Sequence, residues 1–412
     1  MLTRWGQLAL GIACVVAIAN LQYGWTLFIH PIHERHGWSI AAIQWTFTIA
    51  ITTETFLATP LGGRLVDRFG PRLSWVSGVL IAAAWSINSR ADALVLFYLA
   101  AVISGLGTGL VFAAAYGNAL KWFPDRRGLA AGLTAAGFAG GGAVTAVPLA
   151  STIHSSGYEA AYLWFGLGQG IVVLVSALLM RAPRRAEVAA FPPGKLPPRG
   201  YDYLPRQMLK SRPFWLMYAM FALVGAGGLM TAAQLAPVAA DFGIDKAPVS
   251  ILGLTMPALS FALLVGLAMN ALSRPAFGWL SDHIGRERTM FIAFLLEGFA
   301  LLGLALLAHT PMWFVVFTGL VFFAWGEIFS LFPAACADIY GSRFAAANFG
   351  VLNTAKGVAS WCVPLANVLN DAMGGWTAVF AVAALLNVLA AMLVFALIPA
   401  RRRLVDGVAS ST

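Results

Sequence analysis

Long apolar runs follow one another along the chain and are separated by short polar breaks. Most runs are close to the ~20 residues that a helix needs to cross the hydrocarbon layer of a membrane. They predict twelve membrane-spanning helices, at about 8–29, 40–61, 73–89, 93–119, 128–152, 158–180, 214–236, 250–281, 289–308, 312–337, 346–369 and 376–399. The pattern indicates an all-α polytopic membrane protein.

One polar break, residues 181–212, is much longer than the others and separates the first six predicted helices from the last six. Its prolines and its lack of periodicity favour a linker on the membrane surface over a folded domain. We therefore expect an amino-terminal six-helix bundle (1–180), a cytoplasmic linker (181–212), a carboxy-terminal six-helix bundle (213–400) and a cytoplasmic tail (401–412).

Composition and charge support this class and define the topology. The 412 residues are 60% hydrophobic and 10% charged, with a mean hydropathy of +0.79, which excludes an ordinary soluble domain. Although the net charge is +9, the cations lie in short clusters between apolar runs, so they do not indicate nucleic-acid binding. Of the 26 Lys and Arg residues, 21 lie on the side that holds both termini and the linker. This bias predicts cytoplasmic termini. We expect a multi-pass protein of the inner (cytoplasmic) membrane.

The two halves of the chain repeat each other. Residues 63–70, GRLVDRFG, follow the second predicted helix, and residues 278–285, GWLSDHIG, follow the eighth at an offset of 215 residues. Such internal symmetry is typical of secondary transporters. Asp67, Arg68, Asp282 and Arg286 in these loops are expected to cap and brace helix ends, and so to take part in gating.

The repeated G-x-L-x-D-x-x-G pattern resembles the signature loop of the major facilitator superfamily, and the resemblance covers the whole chain. Five further runs resemble the oxalate/formate antiporter family, namely LQYGWTLF, KWFPDRRGLAAG, SRPAFGWLSDHIGR, FFAWGEIFSLFP and NTAKG. The resemblance implies two pseudo-symmetric six-helix bundles that exchange small carboxylates by alternating access.

Two cations remain that no loop accounts for. Arg274 precedes Asp282 by eight residues, and Lys356 follows Asn348, the predicted start of helix 11, by eight. Each therefore lies about 12 Å inside its helix, where a cation costs about 2.5 to 3.5 kcal/mol unless it faces a wet cavity or a partner. If both face inward, they suit an anion with two carboxylates. Alternatively, Arg274 snorkels or pairs with an acid, and Lys356 pairs with Glu327.

The resemblance implies the same pair, since the family places an arginine on helix 8 and a lysine on helix 11 around a small dicarboxylate. Aromatic and amide side chains on other helices are expected to complete the wall of the site, namely Gln22, Tyr23, Phe112, Tyr116, Trp325 and Phe329. Three acids inside apolar runs are expected to hold a proton or to act as counter-ions, namely Glu54, Glu297 and Glu327.

The remaining signals are weak. His30, His33 and His36 fall in the first predicted outer loop and mimic metal spacing, but regular geometry is not implied there, so we expect no metal and no cofactor. No group of acid, base and nucleophile has the spacing of an enzyme. The leading prediction is a monomeric oxalate/formate-type antiporter. The alternatives are a proton-coupled carrier of monocarboxylates such as lactate or pyruvate and, more remotely, a transport-inactive membrane sensor.

Overall fold

The computed structural model describes residues 3–189, 202–251 and 253–409. These form two compact units, of which unit 1 comprises Met1–Pro205 with Cys336–Thr354 and unit 2 comprises Arg206–Ala335 with Ala355–Thr412. The sequence-based domain division at the linker stays a prediction. Part of that linker (190–201) and the end of the tail (410–412) lie outside the described residues.

Unit 1 is built from helices of the first half of the chain and a short segment of the second half. The helices of the first half are α1 (Arg4–Ile18), α2 (Asn20–Tyr23), α3 (Thr26–His36), α4 (Ile40–Thr52), α5 (Thr59–Phe69), α6 (Trp75–Asn88), α7 (Leu94–Trp122), α8 (Arg127–Leu179) and α9 (Arg185–Ala189). A π-helical turn, Thr53–Ala58, joins α4 to α5, and a 3-10 turn, Pro71–Ser74, precedes α6.

Small residues let the helices of unit 1 approach closely, as is common in membrane bundles. Helix α8 runs through two predicted spans, with a kink at Gly157, whose φ of 85° suits glycine. Along its second half, Gly170 faces Gly78 of α6. A Cβ atom at Gly170 would lie 2.6 Å from the Gly78 carbonyl oxygen and 2.7 Å from Ala82 Cβ.

The first predicted outer loop, for which the sequence implied no regular geometry, is helical in the structure. Helix α3 includes Pro31 and ends at Gly37, which adopts a left-handed φ of 69°. His33 Nδ1 lies 2.6 Å from the Trp38 carbonyl oxygen, and His36 Nε2 lies 2.7 Å from the Tyr158 hydroxyl. Within the described ranges, no group of three or more His, Cys, Asp or Glu side chains could hold a metal ion.

The second-half segment of unit 1 includes α16 (Ala345–Leu352), which packs against α5 and α7. Glycines make the contact close. A Cβ atom at Gly350 would lie 2.5 Å from the Thr59 carbonyl oxygen, and one at Gly117 would lie 2.5 Å from Ala346 Cβ. Through this packing, Cys336–Thr354 belongs to unit 1.

Unit 2 contains most of the second half. Its elements are α10 (Pro205–Met208), α11 (Arg212–Asp241), β1 (Pro248–Ile251), β2 (Leu254–Pro257), α12 (Ala258–Ile284), α13 (Arg286–Leu307), α14 (Pro311–Trp325), α15 (Ile328–Tyr340), α17 (Thr354–Ser360), α18 (Cys362–Met373) and α19 (Trp376–Ala409). Helices α12 and α13 pack against α14, while α11 and α13 pack against α19. Three of these elements, α10, α15 and α17, cross the boundary between the units.

The predicted start of helix 8 at residue 250 is wrong, because β1 and β2 form an antiparallel hairpin before α12. Pro248 pairs with Pro257, and Ile251 pairs with Leu254, in antiparallel register. Gly253 in the turn has a φ of 82°, which a side chain would strain. Helix α12 therefore begins only after Pro257.

The predicted continuous helix 11 (346–369) is also wrong, since α16, α17 and α18 are separated at Asn353 and Trp361. The Thr354 hydroxyl donates to the Val351 carbonyl oxygen, and the Ser360 hydroxyl donates to that of Gly357, so side chains take over backbone acceptors at both breaks. In the described part of the chain, eight helices are long and apolar enough to cross a membrane, by length and composition.

The glycine contact between α6 and α8 yields a matched pair of variants. We expect Gly170→Val to lower the unfolding temperature of the purified protein, because overpacking typically costs about 1 to 3 kcal/mol. Gly168→Val is the control, since a Cβ atom at Gly168 meets nothing within 4 Å. Thermal unfolding in detergent measures both, and equal unfolding temperatures for the two variants would contradict the assignment of this contact.

Candidate functional site

Arg274 lies inside α12 and is 2% exposed. Its Nη2 atom donates a hydrogen bond of 2.7 Å to Asn270 Oδ1, one helical turn earlier. Asn270 is itself fixed, because its Nδ2 atom donates to the Phe322 carbonyl oxygen on α14 at 3.2 Å. The guanidinium group is thus oriented by an amide that is tied to a neighbouring helix.

Aromatic rings surround the charged end of Arg274. The guanidinium carbon lies 4.8 Å from the ring centroid of Phe329, a cation–π contact. Trp325 packs edge-on to Phe329 at 6.0 Å and to Phe322 at 5.8 Å. The structure therefore brings three predicted site residues, Arg274, Trp325 and Phe329, close together. We call these three residues, with Asn270 and Phe322, the Arg274 cluster.

A helix break positions the aromatic members of this cluster. Helix α14 ends at Trp325, and α15 begins at Ile328. Between them, Gly326 lies directly against Ser273 and Asn270 of α12, so a side chain at position 326 would clash with them. The absence of a side chain lets α14 and α12 approach, and the break places Trp325 and Phe329 on either side of it.

Lys356 lies near the start of α17 and is 8% exposed. A Cβ atom at Gly225 of α11 would lie 3.1 Å from Ala359 Cβ on the same short helix, so α17 packs closely on α11. Both intramembrane cations are therefore buried in unit 2. Participation of Lys356 in binding stays a prediction.

The three predicted acids are all buried, with Glu54 3% exposed and Glu297 and Glu327 fully buried. Glu54 lies in the π-helical turn of unit 1, a type of distortion that is frequent at functional sites. In unit 2, none of the four carboxyl oxygens of Glu297 and Glu327 has a hydrogen-bond partner among the described residues. The role of Glu327 as a proton carrier or as the counter-ion of Lys356 stays a prediction.

The predicted wall residues of the first half lie in unit 1. Phe112 and Tyr116 are buried on α7, with their ring centroids 6.2 Å apart, and Tyr116 also packs against Phe349 at 5.0 Å. Gln22 is half-buried on α2. Tyr23 ends α2, but its side chain lies outside the described residues. A role for these four residues in binding stays a prediction.

Unit 1 also contains a small, partly open polar cavity of about 30 Å³. Its lining includes buried polar atoms that have no hydrogen-bond partner among the described residues, namely Asn20 Nδ2, Trp25 Nε1, Thr46 Oγ1, Asn88 Oδ1 and the Tyr162 hydroxyl. A cavity of this size and polarity holds about two water molecules.

The two signature loops make different contacts. Asp67 accepts hydrogen bonds from Lys121 Nζ at 2.6 Å and from the Ala347 backbone N–H at 2.9 Å, so it caps the first turn of α16. Burial raises the pKa of the Asp67 carboxyl above its ordinary value, while the Lys121 charge opposes this rise. Asp282 instead pairs with Arg286 at 2.6 Å. Arg68 lies over the ring of Phe69, at 5.1 Å.

Sequence reasoning missed two functional candidates, both asparagines inside apolar helices. Asn270 holds Arg274, and Asn387 on α19 lies beside the carboxyl group of Glu297. Asn270 could have been found, because it precedes Arg274 by four residues and so shares its helix face. The position of Asn387 depends on how α19 packs against α13, which the sequence does not show.

In chemical terms, the Arg274 cluster offers an oriented cation, aromatic faces and no nucleophile. A planar guanidinium group suits bidentate binding of a carboxylate edge. This arrangement is chemically suited to a small planar anion.

The chain is similar to known membrane transporters. A family model described as "Major Facilitator Superfamily" matches residues 10–364 and, again, 271–411. The "Oxalate:formate antiporter" of Oxalobacter formigenes is 31% identical over 406 residues, which cover 96% of this chain and 92% of that protein. "Monocarboxylate transporter 13" of Bos taurus is 26% identical over 362 residues, which cover 83% and 77% respectively.

The fold is also found among solved structures. The crystal structure of the human organic anion transporter MFSD10 (TETRAN) matches with a TM-score of 0.72 at 14% identity, covering 96% of this chain and 100% of that one. These similarities confirm the predicted fold class. They also confirm the prediction that the protein belongs to a transporter family and not to an enzyme family. The chain belongs to the major facilitator superfamily of membrane transporters.

Proposed function

We propose that this protein exchanges small carboxylate anions across the inner membrane by alternating access, with oxalate against formate as the leading pair. The observation that carries the proposal is Arg274, which is buried in α12, oriented by Asn270 and stacked on Phe329. The 31% identity to an oxalate:formate antiporter over nearly the whole chain supports the same substrate class.

The proposed roles of the two cations differ with their chemistry. Arg274 binds one carboxylate edge through its planar fork, and the ring of Phe329 restricts the ligand to a flat shape. Lys356, a compact charge, neutralises the second carboxylate of a dianion. The charge of an empty site disfavours closure between dry walls, because removing cations from water is costly. A bound anion removes that cost, so the carrier returns only when loaded, which produces exchange.

The signature loops are proposed to act in gating. Asp67 ties α5 to the first turn of α16, so this contact must change if the two helices separate during transport. The distribution of cations favours cytoplasmic termini, since 21 of the 26 lie on that side. We propose that the protein works as a monomer.

A second candidate function is proton-coupled transport of a monocarboxylate. It is favoured by the similarity to a monocarboxylate transporter and by the buried carboxyl groups of Glu297 and Glu327. A carrier in which an internal acid takes up a proton can return to the other side of the membrane without substrate.

The first prediction concerns Arg274. In proteoliposomes loaded with oxalate, we expect Arg274→Gln to reduce counterflow of labelled oxalate by about 10- to 100-fold, since a charged hydrogen bond contributes about 1.5 to 3 kcal/mol. Arg274→Lys should restore only part of the activity, because it keeps the charge and loses the planar fork. Arg288→Gln is the control, as it removes an exposed cation from α13. Full activity in Arg274→Gln would refute the binding assignment.

The second prediction separates the two cations. We expect Lys356→Gln to weaken binding of oxalate by about 10-fold and to weaken binding of formate much less, because formate has no second charge to neutralise. Competition by unlabelled oxalate and formate in the counterflow assay measures both affinities. Equal losses for the two anions would remove Lys356 from the proposed dicarboxylate site.

The third prediction distinguishes exchange from proton-coupled transport. Under the exchange proposal, liposomes without internal carboxylate should take up no labelled substrate when a pH gradient is imposed. Uptake that follows the pH gradient in empty liposomes would instead establish the proton-coupled alternative. Binding of substrate without flux under either condition would indicate a transport-inactive sensor.

A further inference from the structure

The polar cavity of unit 1 has no part in the function proposed above, which places the anion at Arg274 in unit 2. Helices α2, α4, α6 and α8 contribute polar lining residues to it, namely Asn20, Thr46, Asn88 and Tyr162. None of these four side chains is more than 7% exposed, and each has a nitrogen or oxygen atom without a hydrogen-bond partner in the described part of the chain. A buried polar atom without a partner is costly. Polar groups from four helices thus line one place where a ligand would satisfy them.

The chemistry of the lining selects an uncharged ligand. No described lining residue carries a charge, so an anion or a metal ion would be held there without a counter-charge. Trp25 Nε1 can only donate a hydrogen bond, which opposes a cation, whereas the hydroxyl groups of Thr46 and Tyr162 can donate or accept. Water both donates and accepts, and a cavity of about 30 Å³ takes about two water molecules.

The cavity borders an interruption of the first predicted membrane-spanning helix (8–29). Helix α1 ends at Ile18, α2 covers Asn20–Tyr23, and α3 begins at Thr26. Around the interruption, backbone N–H groups donate to the carbonyl oxygen three residues earlier, namely those of Ala19, Gln22, Leu27 and Phe28. Hydrogen bonds of this 3-10 type in the middle of a helix often mark a hinge. Asn20 and Trp25, which line the cavity, lie at the two ends of α2.

The neighbouring helix α8 is weakened where it contacts this interruption. Pro148 lies inside α8 and has no backbone N–H group to donate. Gly24, which follows α2, packs against the next residue of α8, because a Cβ atom at Gly24 would lie 2.7 Å from Leu149 Cδ2. One turn earlier, the Thr145 hydroxyl group contacts the amide oxygen of Asn20. Two interrupted helices therefore meet beside the cavity.

We propose that the cavity of unit 1 is a binding site for about two water molecules, and that these waters let the first membrane-spanning helix bend during transport. A bridging water is nearly as favourable in enthalpy as a direct hydrogen bond, and it can change partners as the helices shift. The site therefore controls how fast the carrier changes conformation, and not how tightly it binds an anion. The role in transport rests on the proposed function, but the water site does not.

The water site is tested first in the wild-type protein, without any substrate. X-ray radiolysis converts water into hydroxyl radicals, which oxidise the side chains beside it. Tyr162 is only 2% exposed, yet it should be oxidised, because it lines the cavity. Tyr340, which is fully buried and does not line the cavity, is the matched control and should stay unmodified. Oxidation of Tyr162 no greater than that of Tyr340 would overturn the water site, whatever the substrate is.

The sign of one stability change tests whether water is the partner of the Tyr162 hydroxyl group. If this group had no partner, Tyr162→Phe would leave the unfolding temperature unchanged or raise it, because a buried unsatisfied group is costly. With water as the partner, the variant should unfold about 1 to 4 °C lower. Tyr98→Phe calibrates the assay, since the Tyr98 hydroxyl group donates directly to the Ala42 carbonyl oxygen at 2.9 Å. An unfolding temperature of Tyr162→Phe at or above that of the wild type would contradict the proposal.

The role in bending is tested by filling the cavity. Ala101 on α7 lines it, so Ala101→Leu should displace water. In proteoliposomes we expect this variant to lower the maximal rate of oxalate counterflow by about 10-fold, which corresponds to about 1.4 kcal/mol. The half-saturating concentration of oxalate should not change. Ala83→Leu adds the same atoms on the exposed face of α6 and is the control. If Ala101→Leu does not fold, Thr46→Val, which removes one lining hydroxyl group at similar shape, takes its place.

A second readout needs no substrate. Deuterium exchange of the backbone at residues 19–28 should be slower in Ala101→Leu than in Ala83→Leu, because the filled cavity opposes bending. Equal maximal rates and equal deuterium exchange in the two variants would overturn the bending role and leave the water site intact. If the wild-type protein does not exchange oxalate at all, the proposed function fails, and the radiolysis, unfolding and deuterium measurements still decide this inference.

Discussion

The free-energy cost of keeping the positive charge of Arg274 inside a membrane protein determines which side chains can surround it. Placing a cation at this depth costs about 2.5 to 3.5 kcal/mol even on lenient scales. The structure offsets part of this cost with a hydrogen bond to Asn270 and with the ring of Phe329. These contacts orient the guanidinium group. Its oriented positive charge is the physical basis for the proposed anionic ligand.

Small residues at helix contacts make this arrangement possible. Gly326 brings the end of α14 against Asn270 and Ser273, and Gly228 brings α11 against Trp325. Without these glycines the aromatic rings could not pack so tightly beside the guanidinium group. Because a well-packed interior has little free space, a change in the charge or position of one group also displaces its neighbours.

The sequence predicts the features that depend on hydropathy and periodicity. Apolar runs predict the class and most spans, and the fold class is confirmed by the family and the solved structures. The cations Arg274 and Lys356 could be identified because a charge within an apolar run is rare. The 215-residue repeat predicted two related halves, although Asp67 and Asp282, which it equates, contact different partners.

Other features depend on local competition or on packing between helices, and were predicted wrongly or not at all. Hydropathy does not distinguish the hairpin of β1 and β2 from a helix, because the segment is as apolar as the start of a membrane-spanning helix would be. The interruptions at Asn353 and Trp361 involve side-chain hydroxyl groups that compete for backbone acceptors. The partnership of Glu297 with Asn387 joins α13 to α19, and such tertiary contacts leave no periodic pattern in one sequence.

The central claim is that Arg274 binds the transported anion directly, and a high-resolution structure of the protein with bound oxalate tests it most directly. The account predicts carboxylate oxygen atoms about 2.7 to 3.2 Å from the guanidinium nitrogen atoms, with the plane of the anion against an aromatic ring of the cluster. An oxalate ion bound elsewhere, with the guanidinium group of Arg274 making no contact to it, would contradict the account.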